Sequence, residues 1–272
     1  MTTSRRDFVR NLSLASASLL SSPAEALAKG GHAASSASLT QPAGRIRTAG
    51  AAKDRIRLAV IGTGFRGESH IALALRRTDT DIVAVCDVDA EMLRRTSEIF
   101  RKAGKPMPRV FTGSPYAYRD LLATKDIDAV LIATPWEWHA PMVLDSIAAG
   151  IKYVATEVIL GITLQDHWDV VNAAEKNNAH VMMLENVCYR RDVMAALNMV
   201  RQGIFGELLH LQGGYQHDLR TVLFNDGKPP YDKGVEFGPK AFSEARWRTE
   251  HSVHRNGDLY PTHGVGPLAM MI

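Results

Sequence analysis

Cysteine is scarce in this sequence, with two in 272 residues. That leaves no disulfide framework. No C-x-x-C spacing is present either, which removes the usual zinc-ribbon and redox-thiol arrangements, and no metal site is expected. Cys86 and Cys188 lie in apolar, strand-like surroundings and read as buried thiols. A long hydrophobic run is also missing. The apolar stretch near the start, Leu12 to Leu20, is too short and too polar to span a bilayer. Beyond the leader there is no basic run and no interleaving of aromatic and basic residues, so no nucleic-acid partner is expected. The formal charge is only +3, and part of it sits in the leader. No internal repeat is found.

What is present begins with a leader. Thr3-Ser4-Arg5-Arg6-Asp7-Phe8-Val9-Arg10 is a twin-arginine pattern, followed by the Ser/Ala-rich apolar stretch and by Ala26-Leu27-Ala28, small residues suited to cleavage. Residues 1–28 are therefore expected to be a signal read by the twin-arginine export machinery. They predict a periplasmic or secreted protein that folds before export and keeps no membrane segment after cleavage. Residues 29–53, rich in Gly, Ala, Ser and Thr, read as a flexible lead-in.

The stretch around which the rest is organised is Ile56 to Gly67. Ile56 to Ile61 is an apolar run short enough for a strand buried on both faces. It breaks into Gly62-Thr63-Gly64-Phe65-Arg66-Gly67, and a helical pattern follows through Ser69, Ile71, Ala72 and Leu75. Strand, glycine turn and helix in that order suit a dinucleotide phosphate. The first glycine permits the tight turn, the second lets the backbone approach, and the third lets helix and strand pack closely. The helix amides and dipole then face the anion. A second strand-like run, Asp81 to Cys86, ends in Asp87, about 20 residues past the last glycine, where a ribose-binding acid belongs. A carboxylate there repels a 2′-phosphate, so NAD is expected over NADP. Arg94 and Arg95 read as surface helix residues and leave NADP open.

Strand and helix patterns then alternate. Helices are expected over Ala90–Lys102, Tyr116–Ala123, Ala140–Ala149 and Leu164–Asn177, with strands over Arg109–Phe111, Asp128–Ala133, Ile151–Thr156 and His180–Leu184. This implies a parallel sheet with helices on both faces over residues 54–184, binding its ligand beyond the carboxyl ends of the strands. That edge holds the glycine turn, Asp87, Thr134-Pro135-Trp136-Glu137-Trp138-His139 and Glu157. From Glu185 the character changes. Gly206 to Tyr215 reads as a long, partly alternating strand, Asp226 to Pro239 as a Gly/Pro-rich loop, and Gly264 to Ala269 as a helix start. Residues 185–272 are expected to begin an α+β domain with an open, mainly antiparallel sheet, cut short at Ile272.

Thr134-Pro135-x-x-x-His139 and the Glu157 strand end, with the glycine turn, resemble the Gfo/Idh/MocA oxidoreductases. Most of that family carries Glu-Lys-Pro at the last position. Here Val158 stands where the lysine would be, which argues against an ordinary sugar dehydrogenase. Three segments narrow the resemblance: Thr134 to His139, Met182 to Tyr189, and Arg255 to Pro267. These are similar to glycoside hydrolase family 109, the NAD-dependent α-N-acetylgalactosaminidases, and cover roughly the part of such an enzyme that precedes its carboxyl-terminal remainder. The resemblance implies a doubly wound Rossmann sheet, NAD as cofactor, an N-acetylated hexoside as substrate and, through the second domain's open sheet, a homo-oligomer.

It also implies a redox-neutral cycle. Oxidation of the sugar's C3 hydroxyl acidifies the C2 proton, the glycosidic oxygen leaves by elimination, water adds, and the hydride returns, so NAD is not consumed. Glycosidases of this kind depart from the usual two-carboxylate mechanism. By the same resemblance His263 and Tyr189 transfer protons at C2 and C3, with Tyr260 close by. Glu157 positions the sugar or the nicotinamide ribose, or assists with a proton. Histidine suits such work because it titrates near neutrality. The cofactor would be held by Gly62, Thr63, Gly64, Phe65, Arg66, Gly67, Asp87, Thr134, Pro135, Trp136, Trp138, His139 and Glu157. Trp136 and Trp138 either stack on nicotinamide or sugar or pack against the neighbouring helix. His139 either contacts the cofactor or serves as a hydrogen-bonded cap. Glu185 and Asn186 border the site, and Tyr215 and His217, on the second domain's strand, are placed to face the sugar. Two other readings remain open at this point: an exported sugar oxidoreductase with tightly held NAD(P), and a non-catalytic sugar-binding relative.

Overall fold

The computed structural model describes residues 55–216, 247–248, 251, 254–256 and 261–272. The leader and lead-in, residues 1–53, together with His217, the loop over residues 226–239 and Tyr260, lie outside the described residues.

Six parallel strands form one sheet. They are β1 (Ile56–Ile61), β2 (Thr80–Cys86), β3 (Arg109–Phe111), β4 (Ala129–Ile132), β5 (Tyr153–Thr156) and β6 (His180–Met183), in the order β3-β2-β1-β4-β5-β6. The expected doubly wound sheet is formed. Alternate residues of each strand serve opposite faces, which explains the unbroken apolar runs. Ala59 and Ile61 join Ala84, Cys86, Val130 and Ile132 in one core. Val60 and Val85 lie in the other, with Ile71 and Phe100. Helices α1 (Phe65–Ala74) and α2 (Ala90–Lys102) supply the second core. Helices α3 (Ala117–Leu122), α4 (Trp136–Ala148) and α5 (Leu164–Asn177) supply the first. The order reverses at β1 and β4, so the crevice for a ligand opens beyond their carboxyl ends.

Local chemistry sets the helix ends. Asp89 caps α2 by accepting from the Glu91 amide, and Thr163 with Asp166 forms a capping box on α5. Helix α4 departs from expectation by starting at Trp136 instead of Ala140. Pro141 favours a first turn there, but Pro135 caps the helix and the fold tolerates the later proline inside it. A helix α6 (Arg191–Arg201), preceded by a 3-10 turn (Asn186–Tyr189), follows β6 and was not expected. Cys188 therefore sits on that turn and not on a strand, although both cysteines are free and buried.

The long strand expected over Gly206–Tyr215 does not form, and among the described residues no antiparallel sheet follows β6. A strand needs a neighbour to complete its ladder. The end of this segment, Gly213 to Tyr215, comes instead beside the last helix, α7 (Thr262–Ala269), where a Cβ on Gly213 would stand 3.2 Å from the Leu268 side chain.

Candidate active site

A cleft of about 380 Å³ opens over the carboxyl ends of β1, β2, β4 and β5. The glycines shape its floor in three ways. Gly62 has φ +87°, and a Cβ there would stand 2.5 Å from the Ala133 carbonyl oxygen, so both backbone and space demand glycine. At Gly67 a Cβ would meet the Gly62 oxygen at 2.1 Å, which fixes how closely α1 rests on the turn. Gly64 faces open space on the cleft wall. A bare backbone turned to the cleft at the start of α1 is what a pyrophosphate needs.

Asp87 lines the same cleft from the end of β2. Its Oδ2 accepts from the Thr63 amide at 2.6 Å and the Thr63 hydroxyl at 3.1 Å, and its Oδ1 accepts from the Asp89 amide at 2.9 Å. Burial pushes this carboxyl above the ordinary aspartate value, against the pull of the Asp89 and Thr63 bonds. Thr63 itself is fully buried and off the cleft wall, so it serves the site by holding Asp87. Gly67 is likewise off the wall. Arg94 and Arg95 are committed to Glu91 and Glu68.

Glu157 ends the neighbouring wall. Its Oε1 receives Arg66 Nε at 3.1 Å and Nη2 at 2.8 Å, and lies 2.6 Å from His70 Nε2, while Oε2 accepts from the Val158 amide at 3.2 Å. Burial would raise this carboxyl, but the His70 bond and the Arg66 charge outweigh it and hold it below the usual glutamate range. His70 was missed in the sequence. Its signal is the spacing from Arg66, four residues on one face of α1.

Trp136 opens α4 and is almost fully buried. Its ring meets Trp247 edge-on at 4.9 Å and His251 at 5.1 Å, and the Arg248 guanidinium lies 5.1 Å above it. Trp138 packs edge-on against Tyr116 and Tyr118. Both tryptophans therefore pack within the protein while also lining the cleft, beside Thr134 and Pro135. Trp247 and Arg248 line it too, and nothing in their local sequence marks them for it. His139 is buried at 1% exposure. Its Nδ1 lies 2.6 Å from the Ile159 carbonyl and its Nε2 lies 2.7 Å from that of Thr134. Burial pushes this ring toward the neutral form although both carbonyls favour the charge. It ties the end of β4 to the loop after Glu157.

The remaining expected residues fall elsewhere. His263, on the first turn of α7, lies 2.6 Å from Glu185, and the Tyr215 ring meets it edge-on at 4.6 Å. Tyr189 is 58% exposed at the end of the 3-10 turn. None of these four lines the cleft. The structure thus gathers the glycine turn, Asp87, the Thr134–His139 segment and Glu157 in one place, and the His263 group in another.

Two family models match the chain. The oxidoreductase family with an NAD-binding Rossmann fold, Gfo/Idh/MocA, covers residues 56–185, and the C-terminal domain of glycosyl hydrolase 109 covers residues 189–272. A glycosyl hydrolase family 109 protein of Stenotrophomonas maltophilia is 59% identical over 79% of this chain and 48% of its own length. A Parabacteroides distasonis protein of the same designation is 44% identical over 99% of the chain and 57% of its own length. An alpha-N-acetylgalactosaminidase of Tannerella forsythia is 48% identical over 82% of the chain and 48% of its own length. The chain spans about half the length of the curated relatives it matches. Among solved structures, a myo-inositol 2-dehydrogenase from Lactobacillus plantarum superposes with a TM-score of 0.50 at 24% identity. It covers 58% of this chain and 44% of that one, a likeness of fold.

Proposed function

We propose that this chain, which belongs to glycosyl hydrolase family 109 of the Gfo/Idh/MocA oxidoreductases, hydrolyses terminal α-N-acetylgalactosaminides by a redox-neutral, NAD-dependent cycle. The residues present fit the cofactor: Gly64 leaves a bare approach for the pyrophosphate, and Asp87 offers a ribose hydroxyl a carboxylate fixed by Thr63 and Asp89. When bound, NAD supplies reversible hydride exchange at the sugar's C3.

The chain's own groups do the rest. Arg66 and His70 keep Glu157 ionised, so it acts as an acceptor that orients a hydroxyl and not as an acid. By the family resemblance the protons at C2 and C3 fall to His263 and Tyr189, although neither stands on the cleft wall. The observation that carries the reading is at Val158. This side chain is 3% exposed and packed with Trp136 and Ile159, so an apolar cluster stands where related dehydrogenases place a lysine. Without that ammonium the proton of the C3 hydroxyl must pass to another group of the chain, and the elimination that follows needs only a modest base.

Export through the twin-arginine pathway is part of the same proposal. A protein sent out folded carries its cofactor with it, and a cycle that restores the cofactor needs no outside supply. The test is to mix protein purified without added cofactor with an aryl α-N-acetylgalactosaminide, following aryl alcohol and reduced-nicotinamide absorbance together. Many turnovers with no net reduction are expected. Accumulating reduced nicotinamide without cleavage overturns the reading in favour of a sugar oxidoreductase. Silence in both channels, with NAD recovered from the denatured protein, overturns it in favour of a sugar-binding relative.

A further inference from the structure

The His263–Glu185 contact joins two segments far apart in sequence, and the fold makes room for it. Glu185 and His263 have side chains only 5% and 8% exposed. A buried carboxylate is costly unless bonded. Glu185 Oε1 accepts from the Val187 amide at 3.0 Å as well as approaching His263 Nδ1 at 2.6 Å. Its Oε2 is buried with no hydrogen-bond partner among the described residues, a cost that stability alone does not explain. Gly266 permits the approach of α7. A Cβ there would lie 3.0 Å from Cys188 Sγ and 3.2 Å from Glu185 Cγ.

Where Glu185 is a carboxylate it can only accept, which puts the shared proton on His263 Nδ1 and, in the neutral ring, the lone pair on Nε2. We propose that Glu185 is the positioning residue of His263, fixing the ring's rotation and its Nδ1–H tautomer so that Nε2 is the nitrogen that takes a proton from the sugar. The last clause rests on the glycosidase reading. The positioning itself rests on the geometry.

The two are tested separately. Protein labelled with 15N-histidine, without substrate, reports the tautomer of each ring in long-range proton–nitrogen spectra, with His263 assigned by its loss in His263→Gln. The Nδ1–H form is expected in the wild type, a shift toward Nε2–H in Glu185→Ala, and retention of Nδ1–H in Glu185→Gln, whose amide oxygen still accepts. With an aryl α-N-acetylgalactosaminide, Glu185→Ala is expected to lower kcat on the order of 10²-fold with KM within about threefold. Glu185→Gln should lower kcat about tenfold. An unchanged tautomer in Glu185→Ala overturns the positioning, as does a raised KM at constant kcat. If Glu185→Ala does not fold, Glu185→Gln decides, and an unchanged kcat overturns the proposal. A wild type with the Nδ1–H ring but no glycosidase activity supports the positioning and removes the functional reading. An active wild type with an Nε2–H ring does the reverse.

Discussion

Two glutamate–histidine contacts of equal length, 2.6 Å, stand in this molecule, in regions that treat them differently. At the cleft, Glu157 faces two groups that bear or can bear positive charge, Arg66 and His70, and stays a fixed anion on a sheet edge. At the junction of the 3-10 turn and α7, Glu185 meets His263 with one backbone amide beside it. Excess positive charge makes the first carboxylate an anchor. The second carboxylate instead meets a ring and a backbone amide, and its contact ties the 3-10 turn to α7. One contact geometry thus stands in two different surroundings, and the proposed roles differ with them.

The sharpest way to break the comparison is His263→Ala. We expect a kcat loss of about 10³-fold for glycoside cleavage while NAD affinity, read by calorimetry, stays level. Gly62→Ala attacks the other region. A side chain at φ +87° pressed on the Ala133 oxygen should weaken NAD binding on the order of 10²-fold and lower Tm by about 5 °C. Asp87→Ala removes one charged acceptor, and NAD affinity should fall about tenfold while the preference against NADP narrows.

Acid sharpens the contrast further. The Glu157 carboxyl lies below its ordinary value of 4.5 in the folded protein. Its contribution is therefore fully present above that value and is lost as pH falls through the lower, folded one. Wild type should exceed Glu157→Gln in urea unfolding free energy at neutral pH by about 1 kcal/mol, discounted for the half-exposed Arg66, and the gap should close as pH falls below 4.5 and on through the lower, folded value. The smallest effect concerns the thiols. Burial pushes Cys86 up to about 12 and raises Cys188 as well, so iodoacetamide at mildly alkaline pH should add no mass to the folded protein and two adducts after unfolding.

The two regions were also unequally legible in the sequence. The β1 turn and Asp87 could be read because their cues are local: an apolar run, three spaced glycines, and a carboxylate at a strand end. The start of α4 was displaced because Pro141 sends a local signal that tertiary packing overrides. Residues 206–215 alternate as a strand does, yet alternation names no ladder partner, and only the end of the segment, at Gly213, meets α7. His70 and Arg248 escaped for a related reason. Their contacts to Glu157 and to the Trp136 ring join distant segments, so the helical spacing of His70 from Arg66 does not by itself name Glu157 as the partner. Helix α6 carries Val193, Leu197 and Val200 at helical spacing, so that element was there to be read.

Three of the four tryptophans, Trp136, Trp138 and Trp247, line one cleft. Tryptophan emits in the band where a reduced nicotinamide absorbs and an oxidised one does not. The molecule therefore carries its own optical gauge. On the proposed cycle, its ultraviolet fluorescence should dim and a blue emission rise whenever a hydride rests in the cleft, and both should reset at the end of each turnover.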